Sequence, residues 1–404
     1  MKSINYTLAI LLLAIVSCQS PGENIRILEA IESPAEIGSE EPNLFTDSNG
    51  DVYLSWIEKK DNQAKLLFSK LNEEEWTASK LIGEGDNWFV NWADFPALVV
   101  NNDLMAAHWL QKRAEGTYDY DVRMVMSKDA GDNWGESFIP HTDGVSAEHG
   151  FVSMLPMEDN KVFATWLDGR FTKGEEMRSD GEMARGAMSL RAGIFDENGG
   201  LVEEWELDHR VCDCCQTSAA MTENGPVVVY RNRTEEEIRD MSIVRLVDGQ
   251  WSAPEIIHAD DWEIAGCPVN GPSIASTGKA TAVSWFTASG GNPMVKLALS
   301  NNAGVNFSDP ITISEGTTNG RVGTVMLPDN TVAVSWMETD EEMALIMLAH
   351  YNINGELLNK WQVAASTSSR SSGFPVITNS GSTVYLAWTD TSESNKIKTA
   401  KIKL

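Results

Sequence analysis

The sequence predicts an all-β protein, a β-propeller of seven four-stranded blades, and three observations predict it. The first is a repeat: a short extended segment, a Gly/Asn/Asp turn, then an alternating apolar strand ending in an aromatic residue, as in Pro96 to Trp109 and Pro375 to Trp388. The aromatic anchors are Trp56, Trp109, Trp166, Tyr230, Trp285, Trp336 and Trp388, spaced 51 to 64 residues apart. That spacing suits one four-stranded antiparallel blade each. The second is register, since Pro96, Pro272 and Pro375 each stand 13 residues before their anchor. The third is that strand-period patterns with turn chemistry dominate, and no long helical periodicity competes. Six blades plus an irregular unit is the alternative, with the long 166–230 interval as the insertion.

The last unit reaches Leu404 with only about three strands. An open sheet edge is a template for aggregation, so the segment Asn24 to Ile31 is expected to supply the missing outer strand and close the ring. Composition agrees with a large packed β domain. The chain has 404 residues and is 42% hydrophobic, which excludes wholesale disorder. Of the 14 Trp, six are anchors. With 31 Lys+Arg against 59 Asp+Glu the net charge is -28. A chain this acidic repels phosphate backbones and anionic headgroups, so general nucleic-acid binding and docking by a basic patch are excluded.

The N-terminus reads as an address. Met1-Lys2 supplies a positive charge, Leu8 to Val16 is an unbroken apolar run too short to span a bilayer, and the run ends Ile15-Val16-Ser17-Cys18. This resembles a bacterial lipobox, in which the Cys is lipidated and becomes the first residue; an ordinary secretory signal is the alternative. The resemblance implies a signal peptide over 1–17, lipidation at Cys18, and a cell-envelope lipoprotein on the outer membrane or facing the periplasm, with the lipid as its sole hold on the membrane. Residues 18–34 are then tether and closing strand, and 35–404 one propeller domain. Export also places the thiols where oxidation is possible.

Two turns carry a sharper pattern. Ser127-Lys-Asp129-Ala-Gly131-Asp-Asn-Trp134 matches the Asp-box S-x-D-x-G-x-x-W in full, and Ser300-Asn-Asn302-Ala-Gly304-Val-Asn-Phe307 matches it with Asn for Asp and Phe for Trp. The acid accepts turn N–H groups, Gly permits positive φ, and the aromatic pins the turn to the blade. On these motifs the chain, over roughly residues 35 to 404, resembles the sialidase superfamily of Asp-box (BNR-repeat) propellers. The resemblance implies a central site in which three Arg hold a substrate carboxylate and a Glu-assisted Tyr works with an Asp acid/base. The sequence departs from it in two places. Glu41-Pro42-Asn43-Leu44-Phe45 carries no Arg where the family opens its first blade, and of Tyr53, Tyr118, Tyr120, Tyr230, Tyr351 and Tyr385 only Tyr230 has a claim to a central position, in an anchor slot.

Two windows in each blade face the axis: a few residues before the innermost strand and a few after the anchor. The first holds Trp92, Asp94, Glu148, His149, Cys212, Cys214, Cys215, Cys267, Asn270 and Arg321. The second holds Asp168, Arg170, Arg231 and Arg233, with Glu237 and Arg239 opening the next strand of blade 4. Arg forks bind carboxylate or sulfate bidentately, so several of them at one mouth point to an anionic ligand. The plain alternative is neutralisation of neighbouring acids, as in Asp168/Arg170 and Glu237/Arg239. Asp94, Glu148 and Asp168 are the candidate catalytic carboxylates.

Cys212, Cys214 and Cys215 precede blade 4 and Cys267 precedes blade 5, so the four are expected together near the axis. Disulfides, including a bridge from the first group to Cys267, are the reading export favours. A thiolate/imidazole metal site with His149 or His209 is the alternative, and no other cofactor is expected. The expected function is recognition or hydrolysis of an anionic glycan or similar ligand at an Arg-lined mouth. The rivals are a non-enzymatic propeller with a Cys/His metal or redox site, and an interaction scaffold.

Overall fold

The computed structural model describes residues 28–173, 176–177, 183–184, 186–340 and 343–404. Cys18, the signal segment 1–17 and residues 24–27 of the expected closing strand lie outside the described residues.

Seven blades form a ring. Blade 1 runs Ser39–Thr46, Val52–Lys60, Gln63–Asn72 and Lys80–Gly85. Blade 2 has Leu98–Asn101, Leu104–Lys112 and Tyr120–Ser127, and its outer place is taken by the stretch around Phe138, which exchanges two backbone bonds of 2.8 Å with Met124. Blade 3 comprises His149–Met157, Lys161–Asp168, Met188–Phe195 and Leu201–Val211. Blades 4 and 5 start at Ser218–Thr222 and Ser273–Thr277, blade 6 at Thr318–Met326 and blade 7 at Val376–Ser380. The first strand of every blade packs against that of the next, and blade 7 against blade 1, so the inner strands circle the axis. Closure comes from Glu29–Ile31, which pairs antiparallel with Lys396–Lys403 in the register Glu29 to Lys401, Ala30 to Ala400 and Ile31 to Thr399.

All seven anchors sit on second strands, which are covered on both faces by neighbouring blades. Ala280–Thr287 is buried throughout, and this double covering is why these strands read as nearly continuous apolar runs. A buried indole still needs an acceptor for its N–H. Trp56, Trp166 and Trp336 each donate Nε1–H to the carboxylate two residues on, Glu58 at 3.1 Å, Asp168 at 3.0 Å and Glu338 at 2.9 Å. Two residues apart on a strand is the same face, so one element supplies both partners.

The two motif turns share one geometry. Ser127 Oγ donates to Asp129 Oδ1 and accepts from Gly131 N, while Asp129 accepts from Asn133 N at 2.8 Å. Ser300, Asn302, Gly304 and Asn306 repeat this pattern. Gly131 and Gly304 stand at φ 78° and 75°.

A second register lies at the axis. Fifteen residues before the anchors stand Glu41, Asp94, Phe151, Cys215, Asn270, Arg321 and Gly373. Four of them take a left-handed φ between 53° and 60°, and in blades 1, 3 and 6 the position lies in a bulge of the inner strand. Several are tied directly across blades: Phe151 N donates to Asp94 Oδ1 at 2.7 Å, Arg321 N to Asn270 Oδ1 at 2.7 Å, and Arg321 Nη1 to Gly373 O at 2.6 Å. Gln216 spans the ring, donating to Ala93 O and accepting from Gly271 N.

Candidate functional site

This ring of contacts divides the axis into two spaces. One, of about 290 Å³, lies among the inner strands. The other, of about 390 Å³, opens at the mouth, and Ala93, Asp94 and Phe151 line both. The wall of the mouth cavity includes Trp92, Tyr118, Tyr120, Glu148, Cys214 and Arg370.

Its chemical centre is Tyr120, the first residue of the third strand of blade 2. The hydroxyl lies 3.0 Å from Asp94 Oδ2 and 2.9 Å from Glu148 Oε1. The ring is fixed by Phe89, stacked at 4.3 Å with planes 13° apart, and the backbone by Tyr120 N donating to Ala147 O. Asp94 is fixed by the Phe151 amide. It approaches that amide because residue 150 is Gly: a Cβ there would collide with Asp94 Oδ2.

Burial dominates the electrostatics. It pushes the Asp94 carboxyl up to about 7 against the opposing bonds from Phe151 and Tyr120. Burial also raises Glu148, to about 8, the Tyr120 bond opposing and the charges of Asp94 and Asp213 assisting. Tyr120 itself is held well above the ordinary phenol value by burial and by both acids. A phenol has one proton to donate. The arrangement is satisfied when Glu148 is protonated and donates to Tyr120, which donates to Asp94. That chain can deliver or accept a proton at the cavity wall at neutral pH.

Asp94, Glu148 and Trp92 therefore stand on one cavity, but several residues expected at the mouth do not. Asp168 is fully buried, committed to Trp166 Nε1 and to Arg170 through Nε at 2.8 Å and Nη2 at 2.7 Å. It holds an indole as Glu58 and Glu338 do, which removes it as an acid or base. His149 turns away from the cavity: its ring stacks on His141 at 3.7 Å, with Nε2 3.1 Å from Asp143 and 3.5 Å from Asp168. Burial opposes its charge, but bonds to Asp143 and Asp168 win and raise it to about 9.

The Arg-lined mouth is also corrected. Arg170 lies against Asp168. Arg231 is buried and donates to the carbonyls of Asn270, Arg239 and Phe286, beneath Trp262. Arg233 and Arg239 share Glu237, and Arg233 also holds Asp213 at 2.7 Å. Arg321 lies under Trp92 at 4.9 Å, donating to Ser372 Oγ and Gly373 O. Asn270 spends its side chain on Arg321 N and Pro268 O. These groups hold loops, and among the described residues the arginine that lines the cavity is Arg370, which the sequence windows do not contain.

Tyr120 was missed too, and Tyr230, the tyrosine favoured from sequence, gives its hydroxyl to Asp208 at 2.6 Å inside the blade. A signal for Tyr120 exists in the sequence: first residues of third strands return to the mouth, and Tyr120 holds that place in blade 2 as Glu237 and Arg239 were expected to in blade 4. The expected bridge to Cys267 is not formed. Among the described residues all four cysteines are free thiols, and Cys212 Sγ stands 3.3 Å from Cys215 Sγ. Neither expected imidazole joins them, since His149 belongs to the buried acid cluster and His209 lies beside Asp208.

Comparison of the sequence with protein-family models found no match, and comparison with curated proteins found none. The fold is similar to solved structures. A polysaccharide lyase, an ulvan lyase bound to a saccharide, aligns with a TM-score of 0.56 at 12% identity over 93% of this chain and 96% of that one. The phage phi92 endosialidase gives 0.51 at 9% identity over 94% and 69%. The Fusarium graminearum α-L-arabinofuranosidase gives 0.50 at 10% identity over 94% and 97%. At these identities the likeness is one of fold.

Proposed function

We propose that the protein binds a carbohydrate at the mouth cavity and cleaves it by acid–base chemistry centred on Tyr120. The observation that carries this is the tyrosine hydroxyl held at 3.0 and 2.9 Å between two buried carboxyls, on the wall of a cavity that also presents Trp92 and Tyr118. Aromatic faces suit sugar rings, and raised carboxyls suit a proton donor working near neutrality. The fold supports the substrate class, because carbohydrate-active enzymes share it, and the two Ser-x-Asp/Asn-x-Gly turns support kinship with the sialidase superfamily. A three-arginine clamp is not part of the reading. A single lining arginine among the described residues, Arg370, suits at most one acidic group per bound unit.

The test is a polysaccharide screen followed by variants. Tyr120→Phe and Glu148→Gln should each lower kcat/KM by about 10²- to 10⁴-fold while far-UV circular dichroism stays unchanged. Glu148 is protonated below about 8, so the wild-type rate should fall as pH rises through that value. Full activity of Tyr120→Phe on a substrate the wild type cleaves would refute the assignment. An unsaturated product would mark a lyase, and new reducing ends without unsaturation a hydrolase.

A further inference from the structure

A second chemical centre lies beside this cavity. Cys212, Cys214 and Cys215 occupy the turn between Leu201–Val211 and Ser218–Thr222, and their sulfurs lie within 4.8 Å of one another. Cys212 and Cys215 are buried with their sulfurs 3.3 Å apart, Cys214 completes the trio, and Cys267, from the lead-in to blade 5, lines the same cavity as Cys214. The turn is held from several sides. Cys212 N donates to Arg231 O at 3.0 Å, Asp213 takes Arg233 at 2.7 Å, and Gln216 ties the turn to Ala93 and Gly271. Arg239 Nη1 lies 3.3 Å from Cys212 Sγ, placing a fixed cation against the sulfurs.

Packing alone needs no three sulfurs in one place, although Cys214 also rests on the apolar core of blade 3. A thiol is a weak hydrogen-bond donor, and Cys212 and Cys215 are buried with their sulfurs 3.3 Å apart. Disulfides use sulfurs in pairs, whereas three sulfurs all within 4.8 Å of one another suit a common centre. Sulfurs about 2.3 Å from one ion stand roughly 3.8 to 4.6 Å apart, so this cluster needs only a small expansion to accept one. Thiolate donors with no imidazole or carboxylate among them select soft or borderline d¹⁰ ions.

We propose that Cys212, Cys214, Cys215 and Cys267 form a thiolate site for a thiophilic d¹⁰ cation, Cu(I) or Zn(II), open to the mouth cavity. Each ligating thiol gives its proton to solvent on binding, and the Arg239 guanidinium offsets the charge left on sulfur. Cys214 and Cys267 both line the cavity, so the bound ion is reached from the side where Tyr120 and Glu148 stand. This proposal is independent of the carbohydrate reading.

The test uses the full chain, reduced and handled without oxygen. It is titrated with Cu(I) against a chromogenic Cu(I) chelator and separately with Zn(II) against a zinc indicator. One equivalent per chain should be retained, with at least three thiols lost to a thiol reagent, and Cys214→Ser should weaken retention by more than about 100-fold. Should Cys214→Ser not fold, the exposed Cys267→Ser replaces it and should weaken retention by at least about 10-fold. Retention of Cu(I) alone identifies a low-coordinate sulfur site, and retention of Zn(II) with all four thiols consumed a tetrahedral one; either supports the proposal. It is overturned if the reduced protein retains neither ion, or if both variants retain an ion as tightly as the wild type.

Discussion

The hydroxyl of Tyr120 faces two acids because of what its neighbours lack. Asp94 reaches the Phe151 amide across the space where residue 150 would carry a side chain, and Phe151 turns that amide inward by taking a φ of 54°, a conformation few aromatic residues adopt. Gly150 is therefore a positioning residue. Gly150→Ala forces its Cβ against Asp94 Oδ2 and should cost about 1 to 3 kcal/mol of stability. It should also lower kcat by about 10²-fold with KM nearly unchanged, because the acid moves while the aromatic wall stays. Steady-state kinetics on a cleaved glycan, beside a urea titration, checks both; unchanged kcat would mean that the position of Asp94 is irrelevant. Asp94 and Glu148 were legible in the sequence because they precede inner strands, a window fixed by the anchors. Asp168 was misread because a carboxylate two residues after a strand Trp has an indole to serve, and its place near the axis says nothing of that duty. The arginines were misread for a related reason: sequence puts a guanidinium near the mouth but does not reveal the loop carbonyls, at Asn270, Phe286 and Gly373, that take it inside.

At the scale of the element, the second strand is the blade's structural core. Trp336 is fully buried, donates to Glu338 Oε1, and carries Lys360 Nζ 4.9 Å above its ring. Trp336→Ala removes the whole contact and should cost about 3 to 5 kcal/mol, the range for a buried aromatic. Glu338→Gln keeps an acceptor for the indole and should cost about 1 kcal/mol or less. Denaturant unfolding of the two variants compares them, and equal losses would show that the charge of Glu338, which also faces Lys360, matters as much as burial of the ring. Anchors of this size, one to a blade, are why the number of blades is legible in the amino-acid sequence alone. The outer strand of blade 2 was less legible because its pairing is reduced to one bridge at Met124 and Phe138, and the stretch between carries the motif turn instead. The position fifteen residues before each anchor was readable in principle. Its occupants differ chemically in every blade, so no residue type marks it, and only the shared geometry at the axis makes them one set.

For the whole molecule the decisive joint is where the two ends of the ring meet. Six blades are continuous in sequence, while blade 7 takes its outer strand from Glu29–Ile31. The strand is three residues long, yet it covers the edge of Lys396–Lys403 and brings Ile31 into the core beside Trp56 and Ile397. Side chains reinforce the joint: Thr399 Oγ1 donates to Ile31 O at 2.9 Å and accepts from Trp76 Nε1 at 3.1 Å, tying blade 7 to blade 1. The expectation that the N-terminal segment closes the ring rests on the strand missing from the last unit, and the register, with Ala30 opposite Ala400, is beyond sequence because three residues carry no alternation long enough to fix it. Ala30→Pro tests the joint without shortening the chain. Where the Ala30 N–H donates to Lys396–Lys403, proline removes that donor, and the short strand should detach and leave Lys396–Lys403 unpaired. Where that N–H faces solvent the edge strand accepts proline. Ile31→Asp, which places a carboxylate in the core beside Trp56 and Ile397, is therefore made alongside it and detaches the strand in either case. Amide exchange should then quicken across Lys396–Lys403 while the inner strands of blades 3 to 5 stay protected. The net charge of -28 keeps such open rings apart at low ionic strength, so their aggregation should increase as salt screens it. Light scattering across a salt series, read with hydrogen exchange, checks this. Unchanged exchange in Lys396–Lys403 would show that the ring holds shut through its inner strands and that Glu29–Ile31 only decorates the edge.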